Sequence, residues 1–168
     1  MVFNIKLVET KRKEIRMERE RYFKAIEFKD IKGIIYNSAK QYASNIAFIL
    51  KHKKDKEITY ENITYKKLLE DINAFGTKLY EMGFKNKRIA IVGRNRYEWG
   101  VAHLANLLGG IVSVPLDKEL QVDELESCLE RSKADVVVFD EKYTENIEKI
   151  KAELPEGVKL VAVSKFHS

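Results

Sequence analysis

Four short runs rich in β-branched residues recur through the second half of the chain. They are RIAIV from Arg88, IVSVP (Ile111–Pro115), DVVVFD (Asp135–Asp140) and VKLVAV (Val158–Val163). A run that is apolar at successive positions suits a strand covered on both faces, as in a parallel sheet. Parallel neighbours need long crossovers between them, so each gap should hold a helix.

The gaps meet that expectation. YEWGVAHLANLL, starting at Tyr97, is apolar on most sides and is ended by Gly109-Gly110. VDELESCLERS has acidic residues in its first turn and Arg131 in its last, which suits the helix dipole. YTENIEKIKAEL turns Ile147, Ile150 and Leu154 to one side. Asn95 with Glu98 three residues on fits a capping box ahead of the first of these helices. Strand and helix therefore alternate as βαβαβαβ over residues 84–168. This predicts an α/β fold: a Rossmann-like parallel sheet, flanked by helices, with right-handed connections. The last strand is followed only by SKFHS, which reads as an incomplete subdomain of a larger protein.

Residues 31–83 read as helix, hairpin, helix. IKGIIYNSAKQYA places Ile31, Ile34, Ile35, Ala39 and Tyr42 on one face. NIAFILKHKKDKEITYENITY gives two strands around a lysine-rich turn. Thr64 is an N-cap candidate. Leu68, Ile72, Phe75, Leu79 and Met82 then form one helical stripe. Gly83 sits where a left-handed residue ends that helix, with Phe84 folding back on Leu79. Residues 1–30 form a basic extension of helical propensity, with Ile15, Tyr22 and Ile26 on one narrow face. That face has three alternatives: packing on the body, standing free, or lying on an anionic membrane surface.

Charge narrows the partners. The formal net charge is only +5 in 168 residues. Thr10–Lys24 is basic but carries Glu14, Glu18 and Glu20, and Lys51–Lys56 is a hairpin tip. Neither interleaves aromatic residues as a nucleic-acid platform requires, so no nucleic acid is expected. A stand-alone module for an anionic partner, membrane surface or nucleic acid, is the alternative reading of these two runs. No stretch approaches the roughly 20 apolar residues that cross a bilayer. The single cysteine, Cys128, and the lack of a secretory leader predict a cytoplasmic setting. The three histidines show no ligand spacing, so no metal site is expected.

The loop after RIAIV is the natural place to look for a nucleotide. A dinucleotide fingerprint needs three spaced glycines, and a Walker loop needs a glycine-rich run ending in Lys and Ser or Thr. Gly93 stands alone before Arg94, Asn95 and Arg96. It reads as a turn, with Asn95 as a cap. His103, inside an apolar helix whose neighbours offer it neither a carboxylate nor a nucleophile, reads as structural. Cys128 and Trp99 read as packing residues. Asp117, Lys118 and Glu119 follow Pro115 at the end where open α/β sheets bind ligands, and read as a helix-entry loop.

Several stretches together resemble the AMP-forming, adenylate-forming enzymes, and within them the long-chain acyl-CoA synthetases. They are Ile63-Thr64-Tyr65 leading into a glycine-ended helix, then RIAIVGRNRYEW, then GGIVSVPLDKEL. Arg131-Ser132, the strand from Ala134, Ser38-Ala39-Lys40 and Ala47-Phe48 fit as well. The resemblance covers about residues 31–163. It implies activation of a carboxylic or fatty acid with ATP and Mg²⁺ to an acyl-adenylate, then transfer to coenzyme A. The family's phosphate loop, adenine motif, Mg²⁺ carboxylate, ribose aspartate and catalytic lysine have no counterpart in these 168 residues. No catalytic, cofactor-binding or metal residue is therefore assigned. Lys118 lies where some relatives bring a basic side chain to the CoA entrance, and is not counted as a site. The resemblance further implies an N-terminal fragment that is inert alone. Its partners would be the remainder of its own polypeptide and, for the parent, a small carboxylic acid. Self-association through exposed apolar surface and peripheral membrane contact are the other contacts envisaged.

Overall fold

The computed structural model describes residues 26–152, 154 and 157–162. The reading of a helical extension over 1–30 thus lies outside the described residues, apart from 26–30. The elements are α1 (Ile31–Gln41), β1 (Ile46–Lys54), β2 (Glu57–Thr64), α2 (Tyr65–Glu81), β3 (Arg88–Val92) and α3 (Tyr97–Leu108). They continue with β4 (Val112–Leu116), α4 (Val122–Ser132), β5 (Val136–Phe139), a 3-10 turn (Glu141–Tyr143), α5 (Thr144–Ile150) and β6 (Lys159–Ala162).

Strands β3 to β6 form a four-stranded parallel sheet in the order β4-β3-β5-β6. The α/β fold, with helices flanking a parallel sheet, is therefore as expected. Central β3 and β5 carry the most apolar runs: Ile89, Ala90, Ile91, Val136, Val137 and Val138 are all fully buried. Pro115 sits in β4, which among the described residues is an edge strand, where a missing N–H is tolerated. The side chains of β3 and β5 alternate between two cores. Ile89, Ile91, Val136 and Val138 meet Ile72, Phe75 and Leu79 of α2 and Val101, Ala102 and Ala105 of α3. Ala90, Val92, Val137 and Phe139 meet Leu125 and Leu129 of α4 and Ile147 and Ile150 of α5.

Local signals explain the helix ends. The Thr64 hydroxyl accepts from the Lys67 N–H at 3.2 Å. At the other end of α2, Gly83 takes φ +82°, and the Phe84 N–H reaches the Leu79 carbonyl at 3.0 Å. The Gly83 N–H reaches the Tyr80 carbonyl at 3.0 Å, which completes a Schellman ending. Helix α4 opens with the Glu124 carboxylate accepting from the Gln121 N–H at 3.0 Å. It ends on Lys133, a non-glycine residue held at φ 53°.

Three expectations need correction. Asn95 is not the cap of α3: the cap position is Arg96, without a side-chain bond, and Glu98 pairs with Arg96 instead. The face of α1 is only partly covered. Ala39 is buried and Ile35 half-buried, while Ile31, Ile34 and Tyr42 stay exposed. Met82, at the end of the α2 stripe, is exposed as well. Periodicity defines an apolar face but does not say how much of it finds a partner.

Candidate functional site

Open parallel sheets bind ligands at the carboxyl ends of their strands, where chain reversal leaves a crevice. Here that edge gathers Gly93–Arg96 after β3, Asp117–Glu119 after β4 and Asp140–Tyr143 after β5. Strand β3 leads to a helix in one core and β4 and β5 to helices in the other, so the edge beside β3 is the switch point.

Asp140 dominates this edge. It is 4% exposed and accepts from Arg94 twice, Nε at 2.7 Å and Nη2 at 3.2 Å. Arg96 Nη1 lies 3.5 Å from the same carboxylate, and the Lys142 N–H donates to it at 3.3 Å. Burial pushes the Asp140 carboxyl up, but the Arg94 hydrogen bond, the Lys142 N–H and the two guanidinium charges outweigh it. The net shift is below the usual carboxylate range. Arg96 also holds Glu98 through two bonds of 2.9 Å. Two arginines thus face two carboxylates, and the cluster is charge-balanced within itself.

Gly93 is explained by the close approach of Asp140 itself. A Cβ built on Gly93 would stand 3.1 Å from the Asp140 Cβ and 3.5 Å from its backbone nitrogen. The glycine lets β3 and β5 close together at their ends, and the space a phosphate would need beside it is filled by Asp140. Bound phosphate wants free N–H groups and unspent cations. The residues present do not fit a nucleotide phosphate, so no step of ATP chemistry is derived through this loop.

The remaining candidates are held in structural contacts. His103 Nδ1 lies 2.8 Å from Ser113 Oγ, and its ring stacks on Trp99 at 5.1 Å between centroids. Asn106, fully buried, donates to the same hydroxyl at 3.3 Å. Helix neighbours offer His103 no carboxylate or nucleophile, but the adjoining strand brings the Ser113 hydroxyl to it. Ser113 was missed because nothing in IVSVP says which residue turns toward α3. The trio ties α3 to β4 near the strand's start, away from the carboxyl edge. Lys118 is ion-paired with Glu119, whose hydrogen bond raises its pKa. The Asp117 carboxylate accepts from the Glu119 N–H at 2.9 Å, an arrangement that closes the helix-entry loop. Cys128 is a half-buried free thiol on α4. Among the described residues no cluster of His, Cys, Asp and Glu could hold a metal ion.

A parallel sheet with helices on both faces, entered through a helix, a hairpin and a second helix, defines a Rossmann-like α/β domain. Residues 35–167 match the family described as AMP-binding enzyme, and the chain belongs to that family. Its fold is shared with the N-terminal domain of FACL13 from Mycobacterium tuberculosis at a TM-score of 0.71 and 20% identity, over 84% of this chain and 36% of that one. It is shared with a benzoate CoA ligase from Burkholderia xenovorans at 0.67 and 20%, over 83% and 28%. An anthranilate CoA ligase, AuaEII, matches at 0.69 and 17%, over 86% and 27%. The chain spans about a third of the length of these structures. No curated protein matches it. Among the described residues no helix is long and apolar enough to cross a membrane.

Proposed function

We propose that this chain is the N-terminal subdomain, residues 31–168 with a basic extension before it, of a longer AMP-forming ligase. The parent joins a carboxylic acid to coenzyme A with ATP and Mg²⁺, releasing AMP and pyrophosphate. Family membership over residues 35–167 carries this reading. The acid is a long-chain fatty acid, on the resemblance of RIAIVGRNRYEW and GGIVSVPLDKEL to long-chain acyl-CoA synthetases. The setting is cytoplasmic.

The chain's own role is to be scaffold. Its sheet edge is closed by Arg94, Arg96, Glu98 and Asp140, so ATP phosphates are held by residues outside it, and the chain alone is inert. The product of the complete reading frame should catalyse pyrophosphate exchange into ATP that depends on added acid, with palmitate a better substrate than benzoate. Exchange with benzoate alone would remove the fatty-acid assignment. No exchange with any acid would remove the ligase reading.

A further inference from the structure

The β1–β2 hairpin has two chemically different faces. Its register pairs Phe48 with Ile63, Leu50 with Glu61 and His52 with Thr59 on one face. That face turns inward at its base: Ile63 is buried, Leu50 joins the core, and the Phe48 ring meets Tyr97 at 5.4 Å. Farther out it carries the His52–Glu61 contact at 3.0 Å. The other face pairs Ile49 with Asn62, Lys51 with Tyr60 and Lys53 with Ile58. Ile49 is 61% exposed, Ile58 47% and Tyr60 65%. This face has two lysines and no carboxylate, because Glu57 and Glu61 fall on the opposite side.

We propose that this outward face is covered, in the complete ligase, by a segment of the same polypeptide beyond residue 168, apolar at its centre and acidic at its margin. The inference rests on the functional reading above. Length is the first argument. The structures sharing this fold are chains of which this one covers between 27% and 36%, so most of such a ligase lies outside it. Incompleteness is the second. Among the described residues no third strand pairs with the hairpin, and only its inward face packs on the core. Three large apolar side chains, Ile49, Ile58 and Tyr60, are exposed together on that outward face, as at a docking surface. Charge is the third. Lys51 and Lys53 share that face with Ile49, Ile58 and Tyr60, and an ammonium enclosed there without a counter-charge is strongly unfavourable. The hairpin's own carboxylates face away, so the occupant supplies them.

Amine-reactive labelling read by mass spectrometry tests this, on the 168-residue protein and on the product of the complete reading frame. Rates are normalised to Lys56 at the hairpin turn. Lys51 and Lys53 should label about tenfold more slowly in the longer polypeptide, as groups removed from solvent do. Equal rates in both overturn the proposal, as does a reading frame that closes at residue 168. Slowing in the 168-residue protein that grows with its concentration assigns the face to a second copy and overturns it. Slowing seen only when phosphatidylserine vesicles are added assigns it to a lipid surface and also overturns it. Acid-dependent pyrophosphate exchange on the same preparation separates the two ideas. Protection without exchange keeps the docking face and removes the ligase reading, and exchange without protection does the reverse. As a second measurement, Ile49→Glu with Tyr60→Glu should lower the melting temperature of the longer polypeptide and leave the 168-residue protein unchanged. Equal shifts in both overturn the proposal.

Discussion

Gly93 and Asp140 meet so closely that a Cβ on the glycine would stand 3.1 Å from the aspartate's own Cβ. The contact joins the ends of the two central strands, and Arg94 and Arg96 hold the aspartate in place. Gly93→Ala should therefore destabilise the protein by about 1–3 kcal/mol, the usual cost of overpacking a site that cannot shift. Chemical denaturation measures this. A neutral or stabilising result would mean that Asp140 yields freely.

Strand β5 is clasped to β3 at both ends. Asp135 holds Lys87 Nζ at 2.8 Å and the Arg88 N–H at 2.8 Å, and Asp140 holds Arg94. The Lys87 hydrogen bond, with the Arg88 N–H, keeps the Asp135 carboxyl below its ordinary range, and the arginines outweigh burial to do the same for Asp140. A depressed folded pKa stabilises the fold fully above the unfolded value, about 3.9 for aspartate, and that contribution is lost as pH falls through the folded value. Stability should thus hold steady from pH 7 to about pH 5 and fall below about pH 4. Asp140→Asn should be less stable at pH 7 and show a shallower acid loss, which denaturation curves from pH 7 to pH 3 can read. An unchanged acid slope in the variant would contradict the linkage.

Lys133 closes α4 in a left-handed conformation at φ 53°, where a side chain is strained. Lys133→Gly should raise stability by up to about 1 kcal/mol, since glycine is the residue this ending favours. A loss of stability would show that the lysine side chain makes up for the strain.

Helix α2 depends on its two ends and its stripe. Thr64→Ala removes the hydroxyl that accepts from the Lys67 N–H and should cost about 1 kcal/mol. Ile72→Ala empties a site that is 1% exposed and should cost about 2–5 kcal/mol. Thermal melts distinguish the two, and a larger effect at Thr64 than at Ile72 would contradict the packing described.

What could be read from sequence was what depends on near neighbours. Strands β3 to β6, the Thr64 cap and the Gly83-Phe84 ending follow from apolar runs and residues a few positions apart. The site did not follow. Asp140 lies 46 positions from Arg94, and only the return of β5 beside β3 brings them together. Asn95 and Glu98 look like a capping pair in sequence for a local reason, their spacing, while in the fold Glu98 is held by Arg96, two positions before it. Ser113 beside His103 is another such meeting, since a strand's facing is set by the helix packed on it. The α1 face was overestimated because amphipathic spacing is indifferent to whether Ile31, Ile34 and Tyr42 are covered.

Isothermal titration of ATP and Mg²⁺ into the 168-residue protein tests most directly whether the edge after β3 is scaffold or phosphate seat. With Asp140 filling the space beside Gly93 and both arginines paired, no binding heat is expected. ATP binding with a micromolar dissociation constant, lost in Arg94→Ala, would contradict that assignment and make the loop a nucleotide site.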